Sequence, residues 1–235
     1  MNAKPNPGTV FPTRVSQYLP LAVLALTLII SPQARAQTPT PVTVPGVFST
    51  GVDDSGNLLA AGQTDPHWTI ASSPTGPIPA LAVANPNGRA TTTPTSGLIN
   101  ATGQLQDIEP VGLYIYTLTF SLSGFDPSSA QISGEWASAN ASQIYLNGIS
   151  TGYSNPAGGL RLLDPFSITT GFVSGENELQ LYVTQPPTPG PEPDGLQVAI
   201  FSATADPVPE PGTITLTLTL LFFAAAFSPR RLVAS

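Results

Sequence analysis

Between residues 46 and 206 the apolar residues never keep the helical spacing of about 3.6; they form short alternating runs cut by Gly, Pro, Asn and Asp. The clearest run is GLYIYTLTFSL, residues 112–122. There Tyr114, Tyr116, Leu118, Phe120 and Leu122 share one face, while Thr117, Thr119 and Ser121 share the other. That period of two predicts a strand buried on one side only. Further strands are predicted in HWTIAS, SAQISGEW, SQIYLNG, GFVSG, NELQLYV and GLQVAIFSA. Turn chemistry separates them: DDSG, NPNG, GFDPSS, NGISTG, SNPAGG and TPGPEPDG. Four Asp-Pro pairs, at 65–66, 126–127, 164–165 and 206–207, suit the same scheme, because proline holds its predecessor extended. Many short strands with such turns predict an all-β chain, a single jelly-roll-like β-sandwich over residues 46–206.

The two ends read differently. Lys4 and Arg14 precede the apolar run LPLAVLALTLII, which gives way to SPQARAQ. A basic leader, a short apolar core and small residues at Ala34 and Ala36 predict a secretory signal helix over residues 1–36, cut before Gln37. An uncleaved N-terminal anchor is the other reading, and the core is short for a span. Residues 37–45, QTPTPVTVP, read as a Thr/Pro linker with no means of packing.

At the other end Pro209-Glu210-Pro211 precedes an apolar stretch, and Arg230-Arg231 follows it. Residues 214–227 contain only Ile, Leu, Thr, Phe and Ala, enough for a helix of about 21 Å. A bilayer core is about 30 Å, so a transmembrane helix takes in flanking residues, roughly 213–229. The arginines then sit on the cytoplasmic side. A last strand is the competing reading, since TITLTLTLL alternates; LLFFAAAF abandons that alternation. Pro-Glu-Pro also occurs at Pro191-Glu192-Pro193, without helix or arginines, and there it reads as loop.

The order of motif, short apolar helix and arginine pair across residues 207–235 resembles the PEP-CTERM sorting signal of Gram-negative bacteria. The resemblance implies recognition of Pro209, Glu210 and Pro211 by an exosortase, a membrane-embedded cysteine protease or transpeptidase. Signal peptidase and the Sec machinery are implied as earlier partners. The body would sit in the periplasm on a precursor held in the inner membrane. It would then reach the cell surface or extracellular matrix, where such families accompany exopolysaccharide. The trailing LVAS and the short span depart from the usual pattern.

Charge narrows what the body can bind. Of 14 acidic residues all but Glu210 lie between Gln37 and Pro209, where the basic residues are Arg89 and Arg161 alone. Phosphate backbones need clustered Lys and Arg, so nucleic acid is excluded as a partner. The chain has no cysteine, so thiol chemistry and disulfides are unavailable.

A second resemblance is carried by TGVDDSGNLLAAGQTDPHW, GEWASANASQIYLNG and GENELQLYV. Together they resemble galactose-binding-like jelly-roll domains of exported bacterial proteins, which implies the sandwich more than any ligand.

The residues themselves offer several chemistries. A Ser or Thr nucleophile needs a base, and His67 is the one histidine, with no Gly-x-Ser-x-Gly elbow present. Glu135, Glu176 and Glu178 could hydrolyse a glycoside only if two carboxyls stood about 5–10 Å apart. Asp53, Asp54, Ser55 and Asn57 offer oxygens to calcium, but the EF-hand spacing is absent and an ordinary Asp/Gly turn is the favoured reading. No metal or cofactor is therefore expected.

Carbohydrate binding fits the residue types best. Sugar C–H faces stack on aromatic rings while hydroxyls bond carboxylates and amides. Asp65, His67, Trp68, Tyr145 and Asn147 are the candidate glycan-binding residues, with Tyr153 and Asn140 of the same chemical types. Trp136 ends an alternating run and is expected in the core, whereas Trp68 could be core or platform. The expectation is a non-catalytic, exopolysaccharide-associated adhesion module; a structural surface protein and a polysaccharide hydrolase are the alternatives.

Overall fold

The computed structural model describes residues 39–83 and 93–208, which fall in one compact unit beginning at Pro39. The signal segment with Ala34, Ala36 and Gln37, the motif Pro209-Glu210-Pro211, the apolar stretch and Arg230-Arg231 lie outside the described residues.

The described residues are all-β. Strands run β1 (Val42–Thr43), β2 (Thr64–Ser72), β3 (Ile78–Ala82), β4 (Ile99–Asn100), β5 (Gln106–Asp107), β6 (Gly112–Ser121) and β7 (Phe125–Ser138). They continue as β8 (Ser142–Leu146), β9 (Ile149–Asn155), β10 (Asp164–Ile168), β11 (Glu176–Gln185), β12 (Glu192–Pro193) and β13 (Leu196–Pro207). One antiparallel sheet has the order β10-β7-β13-β4-β3-β2-β6-β11-β8-β9, with β1 added to β13.

That sheet doubles back on itself. The ring of Trp136 on β7 meets Tyr153 on β9 edge-on at 6.2 Å and Phe166 on β10 at 6.0 Å. The two end strands are stitched by side chains. Tyr153 Oη donates to the Ser167 carbonyl at 2.8 Å and accepts from the Ser167 amide at 3.0 Å. Asn155 Nδ2 donates to Asp164 Oδ2 at 2.8 Å. Between the layers lies one apolar cluster holding Trp68, Ile70, Tyr116, Leu118, Ile132, Trp136, Leu179 and Val198. The alternation of β6 explains its half: Tyr114, Tyr116, Leu118, Phe120 and Leu122 are all buried there.

Several local readings change: the turn segments NGISTG and GFDPSS run into strands β9 and β7, and three others follow. The segment 37–45 is not wholly a linker: Val42 and Thr43 pair with Ala205 and Thr204, and Val44 is buried. The exposed edge of β13 supplies hydrogen bonds that a polar Thr/Pro segment can take without a core of its own. The first Pro-Glu-Pro is likewise not plain loop, since Glu192 and Pro193 pair with Asp107 and Gln106. Residues 171–175, GFVSG, form no strand, because the Asn177 side chain takes the backbone groups a partner strand would need. It accepts from the Val173 amide at 2.9 Å and donates to the carbonyls of Val173 and Gly175 at 2.8 and 2.9 Å.

Candidate functional site

The stretch DPHWTI, which opens β2, is built for structure. Asp65 is buried, and its carboxylate accepts from the amides of Gly51 at 2.6 Å, His67 at 2.8 Å and Trp68 at 3.0 Å. A carboxylate satisfied by backbone donors inside the fold is not presented to a ligand. Trp68 is 0% exposed, and its Nε1 donates to the Phe48 carbonyl at 3.0 Å. Of the two roles open to Trp68 the fold takes the core one, so no ring face remains for a sugar. His67 stacks on Phe48 with centroids 3.7 Å apart and planes within 6°. Its Nε2 lies 3.5 Å from Oδ1 of the exposed Asp54.

The DDSGN turn closes on its own first residue. Asp53 Oδ1 accepts from the amides of Ser55 and Asn57 at 2.9 and 2.8 Å, and Oδ2 accepts from Asn57 Nδ2 at 3.2 Å. The Asn57 backbone bond, first among these, holds the Asp53 carboxyl below its ordinary value. The oxygens thus cap a turn. Among the described residues no three or more His, Asp or Glu side chains converge as a metal site.

Asn147 and Tyr145 part company. Asn147 has φ of 53° and forms, with Gly148, the two-residue turn between β8 and β9. Its side chain donates to Gly171 O and Asn177 Oδ1, both at 2.9 Å, and accepts from the Glu178 amide at 2.9 Å. It pins the 171–175 loop beneath the hairpin. Tyr145 points the other way, alternating with the buried Ile144 and Leu146.

On that outer face Tyr145 meets a residue the sequence reading passed over. In the β8–β11 ladder Tyr145 stands opposite Gln180, and Gln143 opposite Tyr182. The two tyrosines are diagonal neighbours, and their rings stack at 4.1 Å with planes 23° apart. Polar groups frame the pair. Tyr145 Oη donates to Gln143 Oε1 at 3.0 Å, and Gln180 Nε2 donates to Glu178 Oε2 at 2.9 Å. Beside Tyr182 lies a cavity of about 280 Å³, walled by Leu113, Pro156, Gln143, Ser154 and Thr184. Its described lining carries no ionisable group other than the phenol. The signal was present in NELQLYV: Tyr182 shares its polar face with Glu178 and Gln180, where a tyrosine has no core to fill.

The acids considered for hydrolysis are separated by the core. Glu135 neighbours the buried Trp136 on β7, and Glu178 neighbours the buried Leu179 on β11. Each points outward from its own layer, so the two are not opposed across a cleft. Glu176 is exposed at the entrance of β11.

No family model matches the sequence, and no curated protein matches it. Among solved structures the chain is similar to a family 35 carbohydrate binding module from an environmental isolate. That match has 13% identity and a TM-score of 0.31, covering 54% of this chain and 88% of the module. It is similar also to a β-glucosidase from Kluyveromyces marxianus at 13% identity and a TM-score of 0.28, covering 68% of this chain. A chain described as a β-galactosidase from Bacteroides fragilis matches at 14% identity and a TM-score of 0.28, covering 41% of this chain. The chain spans only 19% and 16% of the lengths of those two enzymes.

Proposed function

We propose that this chain is an exported, non-catalytic carbohydrate-binding module of the cell surface or matrix, gripping glycan through the Tyr145–Tyr182 face. The observation that carries the reading is the cavity at Tyr182. It offers a phenol ring and the apolar Leu113 and Pro156 to sugar C–H faces, with the Gln143 amide and the Ser154 and Thr184 hydroxyls for sugar hydroxyls. Its 280 Å³ lies just below the range of ligand pockets, which start at about 300 Å³, and suits one sugar unit of a longer chain. We favour binding over cleavage because no Asp, Glu or His is among the described lining residues, and glycoside hydrolysis needs two positioned carboxyls.

The test is retention of the full-length chain on an array of neutral hexose oligosaccharides. Tyr182→Ala and Gln143→Ala should each weaken binding about tenfold or more, a loss of about 1.4 kcal/mol. The same substitutions should leave β-sheet circular dichroism unchanged. If wild type and both variants bind alike, the face has no such role. If nothing on the array binds, the structural-protein reading stands instead.

Sorting belongs to the same proposal, and rests on the order of Pro209-Glu210-Pro211, apolar stretch and Arg230-Arg231. Changing Pro209, Glu210 and Pro211 to alanine should leave unprocessed chain in the inner membrane. The same change at 191–193 should not, because Glu192 and Pro193 belong to a ladder of the folded body. Equal processing of both variants, read by mass of the surface form, would refute exosortase recognition.

A further inference from the structure

The ladder between β13 and β7 shifts register twice, and the first shift leaves one residue over. Ile200 pairs with Gly134 and Ser202 with Ser133, so Phe201 is left over on β13. Bulges of this kind re-aim a side chain and recur beside functional sites. The core face of β13 shifts there, from Leu196, Val198 and Ile200 before the bulge to Ala203 and Ala205 after it, and Phe201 is left on the outer face, 63% exposed. The opposing glycine makes the bulge possible. A Cβ at Gly134 would run into the Ala199 carbonyl and the Phe166 ring.

A cavity of about 340 Å³ adjoins Phe201, with Phe48 in its wall and the hydroxyls of Thr43, Thr95, Ser202 and Thr204 around it. None of its described lining residues is charged. Phe48 is held in place before any ligand arrives, by His67 against its ring and the Trp68 indole on its carbonyl. A wall fixed in advance lowers the ordering cost of binding.

We propose that the Phe201 cavity is a second site for neutral glycan, and that one chain thereby bridges two polysaccharide strands. The proposal rests on the sugar chemistry already assigned to the Tyr182 face. Its lining repeats that chemistry: exposed aromatic ring, uncharged cavity, ring of hydroxyls. A protein partner of ordinary size needs about 800 Å² on each side, far more apolar surface than Phe201 and the half-exposed Val42 of β1 offer. The two sites face away from one another. Tyr182 alternates with the core residues Leu181 and Val183 on β11, and Phe201 lies on the outer face of β13 in the opposite layer. Two sites on opposite faces cannot grip one short oligosaccharide together, but they can crosslink long chains with the gain that multivalency supplies.

Calorimetric titration of the full-length chain with cellohexaose, laminarihexaose and galactohexaose tests this. The expected result is a stoichiometry of two for the hexaose that binds. It falls to one in Phe201→Ser and to one in Tyr182→Ala, vanishes in the double variant and stays two in Phe201→Tyr. The wild type should precipitate the matching long polysaccharide, and neither single variant should. Thr95→Trp, which fills the cavity without touching the core, should reproduce Phe201→Ser if that variant fails to fold. A stoichiometry of one that is lost in Tyr182→Ala and untouched in Phe201→Ser overturns the second site and leaves the first intact. A wild-type dimer in sedimentation that Phe201→Ser dissolves assigns the face to a second copy and overturns the proposal too. Absence of binding by every hexaose overturns both sites.

Discussion

The Trp68 indole nitrogen donates to the Phe48 carbonyl at 3.0 Å, tying a fully buried ring of β2 to a segment twenty residues upstream. That bond decides between two roles the residue type allows. Trp68→Ala should cost about 3–5 kcal/mol, from the lost apolar contacts and the orphaned carbonyl. A denaturant titration checks it. A loss under about 1 kcal/mol would mean that the ring is exposed in solution.

Asp65 should be equally costly for a different reason. Its carboxylate holds the amides of Gly51, His67 and Trp68, so Asp65→Ala leaves two buried donors and one part-buried donor without their acceptor. Each such donor costs about 1–3 kcal/mol, and the variant should lose about 3 kcal/mol or more. Asp65→Asn keeps one acceptor oxygen and should recover part of the loss. An Asp65→Ala variant as stable as wild type would contradict the buried role.

Gly134 links stability to the Phe201 bulge. Gly134→Ala should overpack the contact with Ala199 and Phe166 and destabilise by about 1–3 kcal/mol. Because Gly134 faces the bulge, amide exchange at Ile200 and Ser202 should quicken in the same variant. Unchanged exchange there would separate the glycine from the bulge.

Alkaline pH should unfold the chain through Tyr114 and Tyr116. Burial first, then the charges of Glu109 and Asp194, pushes the Tyr114 hydroxyl up from its ordinary 10.0. Burial, then Asp194 and Glu109, does the same to the fully buried Tyr116. A raised folded value means that the neutral form is favoured in the fold. Its stabilisation is complete below pH 10 and is lost as pH rises above it, where the unfolded chain releases the protons. The denaturation midpoint should be flat up to about pH 9 and fall beyond about pH 10. Phenolate absorbance should show Tyr114 and Tyr116 titrating only with unfolding. Ionisation of all tyrosines near pH 10 without unfolding would be the contrary result.

Strand identity was legible along the chain because alternation is a local property. The faces of β6 and β11 follow from GLYIYTLTFSL and NELQLYV, and the two-residue turn of β8–β9 from Asn147-Gly148. Strands whose cue is not local were missed. Residues 149–155 look like turn, yet they form β9 because β8 offers a partner across that hairpin. Residues 171–175 look like strand, yet Asn177 consumes their hydrogen bonds.

The same division separates the candidate sites. Trp68 and Tyr182 each sit in an alternating strand, and composition cannot say which ring is covered. Coverage depends on what the opposite layer brings across. The apolar cluster that holds Trp68 draws on β7, β10 and β13, while among the described residues no strand covers the outer side of β8 and β11, where Tyr145 and Tyr182 stack. Phe201 is the sharper case: Leu196, Val198 and Ile200 face the core before the bulge and Ala203 and Ala205 after it, so the register against Gly134 and Ser133 decides that Phe201 stays outside. The sequence by itself determined the period, the turns and hence the all-β class, because each is fixed by residues a few positions apart. Which aromatic rings meet solvent was decided by register and layer closure, which join residues far apart in the chain and appear only once the sheet has folded over its core.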